Sequence, residues 1–176
     1  MFTAISAHVI AFATLLLTAI AALVSSIVAV KSLGASKRSL SADLCMRLED
    51  RFDSVHIKSC RSRAAKSLLT HSNVEEAEDV LDFFETTGLL VRLKALNLEM
   101  VYSSFFHWAN TYWNAAKPHI DLRRKTRKTL WQEFEYLYRK MIEIEKRKDA
   151  SSVDLSPTPQ LIEGNLVDEK DIYKET

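Results

Sequence analysis

The sequence predicts an all-α protein: a single N-terminal transmembrane helix, a compact cytoplasmic helical domain and a disordered acidic tail. Three observations carry this. Residues 1–30 contain no Asp, Glu, Lys or Arg. Beyond them, apolar residues recur at three- and four-residue spacings, the period of a helix buried on one face. Only three glycines and three prolines interrupt the 176 residues, too few for a Gly/Pro-rich or collagen-like chain. The expected organisation is an anchor at 1–31, a juxtamembrane linker and helix at 32–57, a helical domain at 58–148 and a tail at 149–176.

The anchor rests on Val9 to Val30, which is almost wholly Ala, Val, Leu, Ile and Phe with a few Ser and Thr. As a helix this run spans about 33 Å at ~1.5 Å per residue, against a bilayer core of roughly 30 Å. A cleaved signal peptide would want a basic start and a shorter apolar run. Lys31, Lys37, Arg38 and Arg47 follow directly. The positive-inside bias then puts the N-terminus outside and the rest in the cytoplasm, as a single-pass protein of the inner cell membrane. Cys45 and Cys60 are expected to be reduced thiols there. Thr14, Thr18, Ala22 and Ser26 recur every four positions, a stripe that permits homodimerisation but is also ordinary anchor composition.

The net charge of +1 conceals four blocks. Residues 31–66 carry nine basic and four acidic side chains, and 73–116 two and seven. Residues 117–148 carry eleven and five, and 149–176 two and seven. Opposed blocks attract one another or present faces to partners.

The linker holds Gly34 and several serines. Leu40, Leu44, Leu48, Phe52 and Val55 then form one apolar helical stripe, and Ala64, Ala65, Leu68 and Leu69 another short helix. Ser72 with Glu75 has capping-box spacing and marks the next start, with Ala77, Val80, Leu81 and Phe84 as its buried face. Gly88 is the expected stop, since glycine tolerates the left-handed conformation that ends helices, and Leu89-Leu90-Val91 reads as a packed connection. Asn97 caps the following helix. On a wheel of residues 98–116, the aromatic residues Tyr102, Phe105, Phe106, Trp108, Tyr112 and Trp113 fall in one arc of about 160° with Leu98, Val101, Ala109 and Ala116. Thr111 and His107 fall on the polar side. Pro118 predicts a break or kink. Thr129 with Gln132 is a second capping box, opening a helix that buries Leu130, Trp131, Phe134, Leu137, Tyr138, Met141, Ile142 and Ile144 and leaves Tyr136 outside. Ser151, Ser152, Pro157 and Pro159 with acidic neighbours read as a disordered tail.

Val80-Leu81-Asp82-Phe83-Phe84-Glu85 followed by Gly88-Leu89-Leu90-Val91, Tyr112-Trp113 four residues before Lys117-Pro118, and Trp131-Gln132-Glu133-Phe134-Glu135-Tyr136-Leu137 are familiar together. They resemble a mostly bacterial family of small, membrane-anchored helical proteins catalogued as a domain of unknown function. The resemblance runs from the anchor to about Met141 and implies a fold but no catalytic residues. One departure stands at Lys94-Ala95-Leu96, where a glycine or a shorter link is expected.

No Walker loop, dinucleotide fingerprint or nucleophile elbow occurs, so no catalytic residue is assigned. His56 and Cys60, four apart, offer half a metal site, and Cys45, His71, His107 and His119 supply no second pair. No metal and no cofactor are expected. Glu75, Glu76, Glu78, Asp79, Asp82 and Glu85 form an acidic cluster. Asp82 with Glu85 suits acid–base work or cation binding, but a solvated face near a helix N-terminus explains it more simply. Arg123, Arg124, Lys125, Arg127 and Lys128 form a basic segment that suits an anionic partner, but pairing with the Glu75–Glu85 cluster or a solvated loop explains it more simply. Three partners fit it: anionic lipid headgroups beside the bilayer, a cytoplasmic protein, or, less readily, nucleic acid. The function expected is a membrane-tethered, non-catalytic interaction or regulatory module. The alternatives are a metal-dependent hydrolase or nuclease on the acidic cluster and a tethered nucleic-acid binder.

Overall fold

A computed structural model describes residues 2–72, 74–148 and 157–173, without the side chains of 2–17, 19–22, 24, 27 and 74. The described chain is helical: α1 (Phe2–Phe52), α2 (Val55–Thr70), α3 (Glu78–Arg92), α4 (Leu98–Arg124), α5 (Gln132–Lys148) and α6 (Pro159–Lys170). A 3-10 turn at Val74–Ala77 leads into α3. Packing divides the chain into two units, Met1–Leu40 and Ser41–Thr176.

Among the described residues no helix is long and apolar enough to cross a membrane. This corrects the expected single-pass signal-anchor at 1–31, and with it the N-outside orientation and the inner-membrane localisation. A spanning helix needs about 20 consecutive, predominantly apolar residues. Among the described side chains of α1, which begin at Thr18, the charge-free stretch ends at Val30 before Lys31, Lys37 and Arg38, short of that length. Most side chains of Val9 to Val30, and Thr14 and Ala22 of the small-residue stripe, lie outside the described residues. The helix continues without interruption through the stretch read as a linker.

In the second unit, the end of α1 buries Leu48 and Phe52 of the expected stripe together with Cys45, whereas Val55, and Leu40 in the first unit, are exposed. Ser54 caps α2, accepting from the Ile57 amide. Ala64, Ala65 and Leu68 then bury completely or nearly so. The capping box at Ser72 and Glu75 does not start α3. The Ser72 hydroxyl pairs with that of Thr70 at 2.6 Å, and α3 begins at Glu78 with no side-chain cap.

Gly88 is not a helix stop. It lies inside α3, and the helix continues through Leu89, Leu90 and Val91. The left-handed residue is Lys94, at φ 58°. Its neighbour Ala95 donates to the Leu90 carbonyl at 3.0 Å, closing the turn. This is the position at which the sequence lacks the expected glycine. A left-handed conformation at a residue with a Cβ costs energy, and the surrounding helix-end hydrogen bonds hold it.

Asn97 caps α4 as expected, accepting from the amides of Glu99 at 2.8 Å and Met100 at 3.2 Å. Pro118 does not end α4, which runs on to Arg124. Proline removes only its own amide from the ladder, and packing against the core retains the rest: Ala116 and Ile120 on either side are fully buried. The aromatic arc forms the centre of the core. Phe84 stacks on Phe134 at 4.9 Å, Trp113 meets Phe134 edge-on at 5.2 Å, and Phe52 meets Phe105 edge-on at 5.4 Å. Offset and edge-on pairs of this kind add to the burial of apolar area. Tyr136, expected to be exposed, is half-buried against the same cluster.

The acidic tail is corrected as well. Pro159–Lys170 forms α6, capped by Thr158, with proline at its first turn where no amide is needed. α6 packs chiefly on α2, as α3 does on α5. Residues 149–156 lie outside the described residues.

Candidate functional site

The corner where α3 meets the start of α5 gathers most of the charged residues singled out by sequence. α5 begins after Trp131, which is left-handed at φ 53°. The capping residue is not Thr129. The Glu85 carboxylate on α3 accepts the Phe134 amide at 2.8 Å, capping α5 from across the interface. One turn earlier on α3, Asp82 accepts from Trp131 Nε1 at 2.7 Å. Asp82 and Glu85 thus fasten the start of α5 to α3, where the sequence favoured a solvated acidic face over acid–base chemistry. Gly88, one further turn along, lies against the Glu133 backbone.

The rest of the acidic cluster meets the basic segment. Glu78 lies 3.2 Å from Arg123 Nε and 3.2 Å from His119 Nε2. Glu75 reaches Arg123 at 3.9 Å. Arg124 spans the turn: it donates to the carbonyls of Leu130 at 2.8 Å and Trp131 at 3.0 Å, and to Glu135 at 2.6 Å. Its guanidinium also faces the Trp113 ring at 5.9 Å. The predicted five-residue site therefore splits. Arg124 braces the turn and Arg123, itself exposed, pairs with Glu75 and Glu78, while Lys125, Arg127 and Lys128 are exposed and have no ion pair among the described residues.

Two carboxylates here titrate in opposite directions. Burial pushes the Glu85 carboxyl up, against its amide hydrogen bonds and with help from Glu133 and Asp82. Burial also acts to raise Glu135, but the Arg124 and Arg139 guanidinium groups outweigh it and hold that carboxyl below the usual range. For Glu135, stability is present above its unfolded value of about 4.3 and is lost as pH falls through the folded value. For Glu85 the sign reverses: its contribution is full below about 4.3 and is lost as pH rises through the raised value. Glu85→Gln keeps an acceptor for the Phe134 amide without the charge. Its melting temperature should exceed the wild type's near neutral pH, and the gain should disappear toward pH 4. A variant less stable than wild type at pH 7 contradicts this.

The second polar centre was not foreseen. Arg61 on α2 is 1% exposed and Glu169 on α6 is 1% exposed. They form a bidentate pair at 2.7 and 2.6 Å, the strong planar geometry of guanidinium and carboxylate. Arg61 also donates to the Phe52 carbonyl at 3.2 Å and sits over the Phe52 and Trp108 rings. The buried Tyr112 hydroxyl donates to Glu169 at 3.1 Å. Burial first, and then the Glu169 charge, push the Tyr112 phenol well above its ordinary value despite Arg61, so it remains a donor. Thr111, placed on the polar side by the wheel, is buried because α6 covers it and Asn165 donates to it at 2.8 Å. The sequence signal was Glu169 itself, three residues after Leu166 and following the Thr158-Pro159 helix start.

His56 and Cys60 share a face of α2, with Nε2 and Sγ 3.9 Å apart, and the Cys60 thiol donates to Asp79 at 3.4 Å. Among the described residues no three His, Cys, Asp or Glu groups converge on a metal position. Both cysteines are free and buried.

These features define an all-helical domain closed by buried polar pairs, with a basic turn exposed at one corner. The chain belongs to a family described as a domain of unknown function (DUF4760), whose model matches residues 16–141. Arg61, Thr111 and Tyr112 fall within that span and α6 falls outside it. No curated protein and no solved structure matches the chain.

Proposed function

We propose that this chain is a non-catalytic helical interaction or regulatory module that engages an acidic face of a protein partner through Lys125, Arg127 and Lys128. The observation carrying this reading is the division of the basic segment. Its two arginines are paired with carboxylates of the same chain, and Arg124 also with two carbonyls, while the three remaining cations are exposed and have no ion pair among the described residues. Arg124 clamps the turn from beneath, so the cations are presented on a fixed support, which lowers the entropy lost on binding. Exposed Leu122 lies close by in sequence and adds an apolar contact. The acidic cluster does not compete as a catalytic site in this reading, because Glu78 is engaged with Arg123 on α4, Asp82 with Trp131 just before α5, and Glu85 with Phe134 on α5.

The test places a photo-crosslinker at Thr126 of the full chain in cells. The expected result is a discrete protein adduct at an acidic surface, lost when Lys125, Arg127 and Lys128 are all changed to Gln. No adduct, an adduct unaffected by the substitutions, or an adduct with nucleic acid overturns the reading.

A further inference from the structure

We propose that the groove between α2 and α4 is a docking site for an acidic amphipathic helix of a partner protein, and that α6 is its plug in cis. The proposal is independent of the basic turn. It rests on how α6 is held. One narrow edge of α6 makes all of its specific contacts. Asn165 donates to Thr111, Leu166 is buried, and Glu169 meets Arg61 and Tyr112. Ser62 donates to the Lys170 carbonyl at 2.6 Å. The rest of α6 contributes little: Leu161 is 54% exposed, and a Cβ at Gly164 would meet nothing within 4 Å.

The groove is also underfilled. A pocket of about 440 Å³, open to solvent, remains beside α6, bordered by apolar Leu68, Ala115, Pro118 and Ile162 and by polar His71 and Asn114. The receiving side is complete and specific, with a buried guanidinium held between two aromatic rings and a phenol aimed at the same carboxylate. The receiving residues lie within the family's matched span and the plug lies beyond it. A helix laid into a groove through anchors three and four residues apart is a common mode of peptide recognition. The partner helix this groove fits carries Leu and Glu three residues apart, at the register of Leu166 and Glu169. It also carries a bulkier apolar residue one turn before the Leu, where Ile162 leaves the cavity open. Such a helix competes with α6, which belongs to the same chain and so binds intramolecularly.

The experiment uses the full chain and a fluorescent peptide of residues 157–173, read by anisotropy. The full chain carrying Glu169→Gln, with its plug weakened, should bind the peptide at least tenfold more tightly than the wild-type chain. A peptide carrying Glu169→Gln should lose that binding, and one carrying Ile162→Trp should bind more tightly than the native peptide. If Glu169→Gln lowers the melting temperature of the chain, saturating native peptide must raise it again. Equal binding by the two chains, indifference to the peptide's Glu169, no gain from Ile162→Trp, or failure of the peptide to restore a lowered melting temperature overturns the proposal.

Discussion

Gly88→Ala should destabilise the protein by about 2 kcal/mol, the middle of the range for overpacking a filled interior. A Cβ at residue 88 would lie 2.6 Å from the Glu133 carbonyl carbon, still closer to its oxygen, and 3.2 Å from Leu137 Cβ. The obstructing atoms are backbone at the start of α5, so no side-chain rotation relieves the clash. α5 must move off α3, which strains the Glu85–Phe134 and Trp131–Asp82 hydrogen bonds at the same corner. In an open helix the same substitution is favourable by ~1 kcal/mol through backbone entropy. Gly164→Ala is that control, since nothing lies near its added methyl. For a chain of this size the Gly88 variant should lose roughly 4–8 °C in melting temperature, while the Gly164 variant gains. Two variants of equal stability would show that α3 and α5 do not approach as closely as described here.

Removing one partner of the Arg61–Glu169 pair is the other large effect. Glu169→Ala should cost about 3 kcal/mol, at the lower end of what breaking a buried ion pair costs. The lower end applies because α6 can leave the groove and let water reach Arg61. The loss should therefore appear locally: protease cleavage within Pro159–Lys170 should accelerate far more than cleavage in α3 or α5. Arg61→Met combined with Glu169→Leu replaces both charges with apolar groups and should recover most of the stability, since burying the ion pair carries a desolvation cost of its own. A double-mutant cycle measures the coupling directly. A Glu169→Ala loss under about 0.5 kcal/mol, the scale of an ordinary surface change, would mean that the pair does not hold α6.

The reach of the sequence differs between these features. The aromatic arc of α4 was legible because helical periodicity depends only on spacing. Val101, Phe105, Ala109, Tyr112 and Ala116 are all buried in the order the wheel gives. Asn97 was legible as a cap because its acceptors and donors lie within three residues. Gly88 was misread because glycine serves two purposes. Local rules favour it at a left-handed helix end, while tertiary packing uses it where two backbones meet. Here the left-handed end went to Lys94, and the glycine went to the helix crossing. The capping boxes at Ser72 and Thr129 failed for a related reason. The pattern records a local opportunity, and a carboxylate from another helix took the amide at the start of α5.

The candidate site shows the same division. Five basic residues in the six positions 123–128 look alike as a sequence, and only the fold separates the two arginines that meet carboxylates from the three cations without an ion pair among the described residues. α6 was hidden because its composition is polar and acidic, which is the signature of an unfolded tail when no partner surface is known. That surface is assembled from α2 and α4, about fifty residues apart. The run at the N-terminus carried the opposite error, since apolar composition alone suggested a bilayer span that no described helix provides.

The sequence by itself determined that the chain is helical, where the core faces of α3, α4 and α5 lie, and that it holds no Walker loop, dinucleotide fingerprint or nucleophile elbow. These follow from interactions between residues three and four apart, whose geometry every helix shares. The tertiary structure alone decided which carboxylate caps α5, which glycine admits a neighbouring backbone, which arginines are free, and that an acidic tail segment folds over a buried arginine. Each of those depends on contacts between residues dozens of positions apart, and their strength comes from burial that no local pattern records.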